Sequence, residues 1–223
     1  MTLITKETQN LLRTFSTINK SIVIKPGNVL STLSVNKNIL AKAEIEETFS
    51  KEMAIYDLSA FCEILRLYDG LSDTLPQIEQ KDNHVLISNP NAESKVKYFY
   101  SDPDIIVQPP DKEVDLPSED LKFRLSLESL KQVWRVYDIT KAPDLCVYGR
   151  DGQINLCVTD KKNDSYNTFT LKVGETDEEF CYCMKMENLK VTAQGYDVTI
   201  SKHNVARFTA DNIKFLIALE PNN

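Results

Sequence analysis

The chain is poor in the residue types from which catalytic and cofactor sites are usually built. Its 223 residues include only six glycines, two histidines and one tryptophan. None of the glycines forms the G-x-x-x-x-G-K or G-x-G-x-x-G patterns that hold nucleotide phosphates, and no G-x-S-x-G sequence presents a serine nucleophile. The two histidines, His84 and His203, fall at predicted hairpin turns. The sequence therefore predicts a binding or structural protein that is not an enzyme and needs no cofactor.

Long hydrophobic runs and an excess of positive charge are also missing. No apolar run approaches the roughly 18 residues that a bilayer-spanning helix needs, and the opening MTLITKETQNLL is too polar for a signal or transit peptide. The 26 basic and 33 acidic residues give a net charge of −7. Because phosphate contacts need local positive charge, binding to nucleic acid is expected only if the basic residues gather on one surface.

The cysteine pattern predicts neither disulfides nor a metal centre. The count is odd and nothing marks secretion, so reduced thiols with structural roles are expected. The five residues are Cys62, Cys146, Cys157, Cys181 and Cys183. Cys181 and Cys183 would share one face of a strand, but no second pair completes a four-ligand zinc site. Acidic clusters such as residues 177–179 are predicted to be solvated loop charge.

One order of elements, a strand followed by a helix and three strands, recurs four times along the chain. Helical segments are predicted at residues 5–20, 57–68, 126–141 and 184–192, and the strands between them are joined by short turns. Thr5 is the predicted cap of the first helix, and Asp57, Ser126 and Lys185 stand at the equivalent junctions of the others. Such repetition predicts an α+β fold of antiparallel sheets with helices along one face.

A proline-rich and acid-rich stretch divides the chain into two halves of similar length. Residues 101–118 contain four prolines and five acidic side chains, which disfavour helix and central strand. We therefore predict two similar domains, at residues 1–104 and 119–223, joined by a connector at residues 105–118.

The predicted helices are more basic than the rest of the chain. They carry nine basic and six acidic side chains, although the whole chain is acidic. The basic residues are Lys6, Arg13, Lys20, Arg66, Lys131, Arg135, Lys141, Lys185 and Lys190. Lys6, Arg13 and Lys20 recur every seven residues and so fall near one side of a helix. The pattern fits either an ordinary solvated helix face or a weakly basic surface.

Several stretches resemble the sliding clamps, the DNA polymerase processivity factors, of T-even-type bacteriophages. The stretches are TKETQNLLRTFSTIN, MAIYDLSAFCEILRL, the Asp-Pro before the proline-containing connector, and the ending IALEPNN. The resemblance implies the DNA-clamp fold of repeated β-α-β-β-β units, with sheets outside and helices lining a concave face. It also implies a homotrimeric ring that encircles duplex DNA without reading its sequence, in the cytoplasm of the infected bacterial host and away from membranes.

The resemblance further implies partners and contact surfaces. An ATP-driven clamp loader would open the ring, and the replicative DNA polymerase and late-transcription factors would bind to it. Short partner peptides would occupy a pocket near the connector, with Leu40, Val114, Leu116, Leu219 and Pro221 as candidates. Subunits would join through edge strands, with Tyr98, Phe99, Tyr100 and Phe169 as candidates. The apolar pocket residues alternatively anchor only the connector, and the aromatic residues are alternatively ordinary strand residues.

Two other functions compete with the clamp hypothesis. The first is an acidic module that binds proteins or mimics DNA without encircling it. The second is an enzyme that uses the loop carboxylates with a metal ion, and the sequence favours it least.

Overall fold

The computed structural model describes residues 1–68, 74–163 and 165–221. Within these ranges the α-helices are α1 (Lys6–Ile18), α2 (Leu58–Leu67) and α3 (Leu127–Thr140). The chain divides into two compact units, Met1–Asp111 and Lys112–Asn223. None of the helices in the described ranges combines the length and the apolar composition that crossing a membrane requires.

The first unit contains eight strands among its described residues. They are β1 (Thr2–Leu3), β2 (Ile22–Ile24), β3 (Gly27–Leu33), β4 (Ile39–Phe49), β5 (Met53–Ile55), β6 (Gln77–Gln80), β7 (His84–Ser88) and β8 (Lys95–Phe99). One sheet has the order β1-β6-β7-β8. β2 pairs with β5 and β3 pairs with β4, and all of these pairs are antiparallel.

The second unit repeats this plan with eight further strands. They are β9 (Leu121–Leu125), β10 (Asp144–Arg150), β11 (Gln153–Thr159), β12 (Phe169–Glu175), β13 (Phe180–Lys185), β14 (Tyr196–Ser201), β15 (Val205–Ala210) and β16 (Ile213–Ala218). They form two antiparallel arrays with the orders β12-β11-β10-β13 and β16-β15-β14-β9. The predicted α+β fold of repeated β-α-β-β-β units is confirmed, with one exception at the fourth helix.

The first strand of each repeat pairs with the strands of the other repeat in the same unit. In the first unit β1 pairs with β6 and β5 pairs with β2. In the second unit β9 pairs with β14 and β13 pairs with β10. The two repeats of a unit therefore exchange strands, and neither repeat completes its sheet without the other.

All three α-helices begin at the predicted capping residues. Thr5, Asp57 and Ser126 each accept a hydrogen bond from the backbone N–H three residues later, at 3.2, 2.9 and 3.0 Å. These bonds satisfy N–H groups that have no partner inside the helix, and each such cap stabilises its helix by about 1 kcal/mol. The apolar stripe of each helix then packs against its sheet, as Leu12 and Phe15 of α1 show by their burial.

The prediction of a fourth helix at residues 184–192 is wrong. Only the three-residue 3₁₀ turn Met186–Asn188 forms there. The residue at its start is Lys185, whose ammonium carries donors and no acceptor, so it cannot satisfy the free N–H groups of a helix start. Lys185 instead donates to the buried carboxylate of Asp144 at 2.6 Å. Among the described residues, the second unit thus has one α-helix where the first has two.

The prediction that all five cysteines are reduced is also wrong. Cys146 and Cys183 form a disulfide with an S–S distance of 2.05 Å. The two residues lie directly opposite each other on β10 and β13, and their Cα atoms are 4.0 Å apart. The antiparallel register therefore brings both sulfurs to the same place on one face of the sheet. The bond joins the two repeats of the second unit.

The two halves of the predicted connector, residues 105–118, fold with different units. Its first half folds with the first unit, where Ile106 is buried with Val23 and Ala54. Lys25 forms an ion pair with Asp111 at 2.6 Å. The residues that follow belong to the second unit.

Candidate nucleic-acid interface and contact surfaces

A carboxylate on β4 fixes the start of α1. The N–H of Thr5 donates to Oε1 of Glu47 at 2.6 Å, and the hydroxyl of Thr8 donates to Oε2 of Glu47 at 2.6 Å. Glu47 is buried, and its negative charge complements the positive end of the helix dipole. This network holds the first turn of α1 against the sheet and thereby positions Lys6, the first residue of the helix.

The exposed side of α1 carries two of the predicted DNA-facing residues. Lys6 and Arg13 are seven residues apart, which is almost two turns, and both are exposed. Lys20 lies two residues beyond the last residue of α1 and is also exposed. Within the part of the chain that the structure describes, Arg13 and Lys20 take part in no ion pair. Their charges are therefore available to an anionic partner.

The second helix packs beside the first and contributes less charge. Burial raises the pKa of the Cys62 thiol on α2 to about 11, while the nearby positive charge of Arg13 opposes the shift. Arg66 on α2 is exposed and lies 3.5 Å from the carboxylate of Glu63, one turn earlier. Such an exposed pair is weak, so Arg66 is partly neutralised but free to change partners.

The third helix presents two cations at neighbouring positions. Lys131 and Arg135 are four residues apart, both are exposed, and neither belongs to an ion pair among the residues described. Lys141 ends the helix in the left-handed conformation, with a φ of 57°. Its ammonium lies 3.5 Å from the carboxylate of Asp138 and 5.6 Å from the ring centre of Tyr137. Lys131 and Arg135 are therefore the better candidates for phosphate contact.

The prediction that Lys185 and Lys190 extend a fourth basic helix is wrong. Lys185 is the last residue of β13, and its ammonium is held by Asp144 at 2.6 Å and by Glu220 at 3.8 Å. The hydrogen bond to Asp144 raises the pKa of Lys185. Lys190 is half-buried after the 3₁₀ turn and has an interaction partner within the chain. Lys185 thus neutralises an internal carboxylate and is not a candidate for DNA contact.

The strands predicted to join subunits both lie at the edge of a sheet. β8 pairs only with β7, and β12 pairs only with β11, among the strands described. On β8, Phe99 is 61% exposed. Tyr98 points the other way, because its ring lies 5.4 Å from that of Phe61 and its hydroxyl donates to the backbone carbonyl of Asp57 at 3.1 Å. Tyr98 is therefore occupied inside its own unit.

The remaining aromatic candidates differ in their exposure. Tyr100 follows β8, and burial raises the pKa of its hydroxyl to about 12. Phe169 is the first residue of β12 and is half-buried. Among the four candidates, Phe99 and Phe169 thus offer aromatic surface along the edges of β8 and β12.

The residues predicted to line a partner-peptide pocket are divided between the units. Leu40 is half-buried on β4 of the first unit. In the second unit Leu116 is half-buried, and Val114 and Pro221 are exposed. Leu219 is buried, and its N–H donates to the carbonyl of Asn204 at 2.8 Å. Leu219 is consequently a core residue, while Val114 and Pro221 offer apolar surface to a partner.

Several ion pairs hold the second half of the connector to the second unit. The sequence analysis did not predict these pairs. Arg207 on β15 contacts Asp115 at 2.8 Å and Glu119 at 2.5 Å. Lys214 on β16 contacts Glu113 at 2.7 Å. The acidic composition of the connector indicated that basic partners were needed. The sequence did not identify them, because Arg207 lies 92 residues away from Asp115 along the chain.

These contacts also lower the pKa values of Asp115 in the connector and of Glu119 directly after it. The N–H of Leu116 has the largest effect on the pKa of Asp115, and the hydrogen bond from Arg207 lowers it further. For Glu119, the hydrogen bond from Lys122 lowers the pKa most and that from Arg207 comes second. Both carboxylates are therefore stabilised in the charged form that the ion pairs require.

Comparison with known protein families identifies both halves of the chain. A family model described as "DNA polymerase processivity factor" matches residues 5–108. A second, described as "gp45 sliding clamp, C terminal", matches residues 122–221.

Individual relatives match over nearly the whole chain. A sliding clamp from Vibrio phage KVP40 is 31% identical over 96% of this chain and 97% of its own length. A sliding clamp from Enterobacteria phage T4 is 28% identical over 99% of this chain and 97% of its own. Among solved structures, A. fulgidus PCNA bound to the C-terminal region of FEN-1 matches with a TM-score of 0.71 and 12% identity, over 100% of this chain and 98% of that one. The structural likeness shows the fold, and the sequence matches show the family: the chain belongs to the sliding clamps, the DNA polymerase processivity factors.

Proposed function

We propose that this protein acts as a ring of three copies that encircles duplex DNA and keeps the replicative DNA polymerase on its template. The observation that carries this proposal is the match to phage sliding clamps over 96% to 99% of the chain, which includes both units. A DNA polymerase clamp is the function that this family membership supports.

The electrostatics of the helices suit a protein that surrounds DNA without gripping it. Arg13, Lys131 and Arg135 are exposed and unpaired within the described ranges, whereas the chain as a whole has a net charge of −7. A few phosphate contacts of this kind are weak, screened by salt and independent of base sequence. The linkage to DNA would then be topological, and the basic side chains would offset repulsion and permit sliding.

The free edges of β8 and β12 support a head-to-tail assembly. An edge strand exposes unpaired N–H and C=O groups and is normally covered or made unattractive to other strands. Phe99 on β8 is 61% exposed and places an aromatic ring beside these unpaired groups, and aromatic residues are enriched at protein interfaces. Pairing β8 of one copy with β12 of the next is a heterologous contact, and such contacts close into a ring when the rotation is right.

Partners would bind through the connector and the C-terminal segment. In the A. fulgidus structure, a C-terminal region of FEN-1 is bound to the clamp. We infer that short peptides of the replicative polymerase, and of late-transcription factors, contact apolar residues near Val114 and Pro221, with Leu40 and Leu116 as further candidates. An ATP-driven clamp loader would open the ring in the cytoplasm of the infected bacterium.

Retention on circular and linear DNA tests the proposal. The full-length protein is loaded with its clamp loader and ATP onto nicked circular DNA, and the DNA is then either left intact or cut once. We expect the protein to remain on the circle and to run off the linear product. The triple variant Arg13→Ala, Lys131→Ala, Arg135→Ala should be loaded less well, whereas Arg150→Ala, which changes an exposed residue at a hairpin, should behave as the wild type.

Two results would overturn the proposal. Equal retention on circular and linear DNA would contradict encirclement. Failure to associate with DNA under any loading condition would favour an acidic module that binds only proteins or mimics DNA.

A further inference from the structure

Four of the five cysteines lie on one face of the sheet formed by β12, β11, β10 and β13. Cys146 on β10 stands directly opposite Cys157 on β11 and Cys183 on β13. Cys181 precedes Cys183 by two residues on β13, so its side chain points to the same face. The face opposite to theirs carries buried apolar residues such as Leu156 and packs in the interior of the unit.

Three of these sulfur atoms are close enough to share one ligand. The Sγ atoms of Cys146, Cys181 and Cys183 all lie within 4.8 Å of one another. Those of Cys181 and Cys183 are 3.9 Å apart. Tetrahedral zinc binds thiolates at about 2.3 Å, which places two sulfur ligands about 3.8 Å from each other. The distance between the sulfurs of Cys181 and Cys183 already matches this spacing, whereas the sulfurs of Cys146 and Cys183 are bonded at 2.05 Å and would have to separate on reduction.

The disulfide between Cys146 and Cys183 occupies two of these ligands. Two molecules of a thiol such as glutathione would together supply two electrons and two protons, give two free protein thiols and leave as one glutathione disulfide. In reducing cytoplasm, structural disulfides are rare, and clustered cysteines more often bind metal. We propose that, once this disulfide is reduced, Cys146, Cys181 and Cys183 form a binding site for a thiophilic divalent cation such as Zn²⁺.

The surroundings of the cluster fit such a site. Cys181 is exposed and gives access from solvent, whereas Cys146 and Cys183 are buried and held by the sheet. Each thiol releases its proton as it binds the ion, and the resulting thiolates neutralise the metal charge. The N–H of Glu220 donates to the carbonyl of Cys183 at 2.7 Å, and the carboxylate of Glu220 pairs with Lys161 and Lys185. A water molecule would complete the four ligands.

The bound ion would replace the disulfide as the link between two repeats. Cys146 lies in the first repeat of the second unit, and Cys181 and Cys183 lie in the second. The same cysteines would therefore connect β10 to β13 in either redox state, covalently when oxidised and through the metal when reduced. This activity is separate from DNA encirclement and does not depend on it.

Titration with Co²⁺ as a spectroscopic probe, followed by competition with Zn²⁺, tests the proposal. The full-length chain is reduced with a phosphine, freed of reductant without air and checked for five free thiols by mass spectrometry. We expect one Co²⁺ per chain with thiolate-to-cobalt charge-transfer absorption, displaced by one equivalent of Zn²⁺. The variant Cys181→Ser changes an exposed ligand and should weaken Zn²⁺ binding by at least about a hundredfold, since even outer partners of a metal site contribute about 10–100-fold. The matched variant Cys157→Ser, on the same face, should bind as the wild type.

Loss of cobalt absorption in the disulfide-bonded chain and in Cys181→Ser, with retention in Cys157→Ser, would support the site. Absence of the absorption in the fully reduced wild type, or equal affinity of Cys181→Ser and the wild type, would overturn it.

Discussion

Removing the charge of Glu47 should loosen the start of α1, the helix that carries Lys6 and Arg13. The carboxylate accepts hydrogen bonds from Thr5 and Thr8, both at 2.6 Å. Bonds to a charged group contribute about 1.5–3 kcal/mol each, and neutral bonds about 0.5–1.5 kcal/mol. Glu47→Gln keeps the shape and one acceptor, so we expect it to lower the free energy of unfolding by about 1.5 kcal/mol. Glu47→Ala leaves both donors without this partner and should cost about 3 kcal/mol.

Hydrogen exchange followed by mass spectrometry measures this effect where it arises. A loss of about 1.4 kcal/mol corresponds to a tenfold change in an equilibrium constant. Amides in α1 should therefore exchange about tenfold faster in Glu47→Gln and faster still in Glu47→Ala. Amides in α3, which lies in the other unit, provide an internal reference and should exchange at the wild-type rate. Urea unfolding monitored by circular dichroism gives the change in overall stability.

The neighbouring Glu46 supplies the matched control. It lies on the same strand but is exposed, so Glu46→Gln and Glu46→Ala should change stability by no more than about 0.5 kcal/mol. Indistinguishable unfolding and exchange of Glu47→Ala and Glu46→Ala would refute the claim that the Glu47 network fixes the helix.

Three further predictions concern assembly and the connector. Light scattering should give a mass of three 25.4-kDa chains. The variant Phe99→Asp should lower this mass, whereas the control Val35→Asp, which changes another exposed apolar residue, should leave it unchanged. A wild-type monomer at every concentration would contradict the ring. Arg207→Gln should speed proteolysis of the connector at neutral pH, whereas Arg150→Gln should leave it unchanged. Contacts with Leu116 and Arg207 lower the pKa of Asp115 in the folded chain. The charged carboxylate therefore stabilises the folded connector at pH values above the ordinary pKa of 3.8, and this stabilisation is lost as the pH falls through the lowered pKa. Relative to an unstructured peptide digested alongside it, the wild-type connector should therefore be cut faster by pepsin as the pH falls below 3.8, and a constant ratio of the two rates across that range would refute the assignment.

Features with a local cause could be predicted from the sequence. Thr5, Asp57 and Ser126 are short polar residues that precede an apolar stripe at helical spacing, and each caps its helix as expected. The repeated order of strand, helix and three strands was also visible, because each element carries its own periodicity. The same local pattern failed at Lys185, since a lysine in the capping position cannot accept a hydrogen bond.

Features that depend on tertiary register were not accessible to this reasoning. The disulfide joins Cys146 to Cys183, 37 residues away, and only the pairing of β10 with β13 makes them neighbours. Glu47 reaches Thr5 across 42 residues. The sequence analysis also placed Tyr98 and Phe99 together in the subunit interface. These two residues are adjacent on an edge strand, so their side chains point to opposite sides of it.

The exchange of strands between repeats has a consequence for synthesis of the protein on the ribosome. Thr2 pairs with Ile78, and Leu121 pairs with Ile200. At bacterial and eukaryotic elongation rates of about 5–20 residues per second, the nascent N-terminal strand waits about 4–15 s for its partner to emerge. Each half of the polypeptide therefore closes only after its second repeat has left the exit tunnel, and a chain truncated between the repeats would be left for chaperones and proteases.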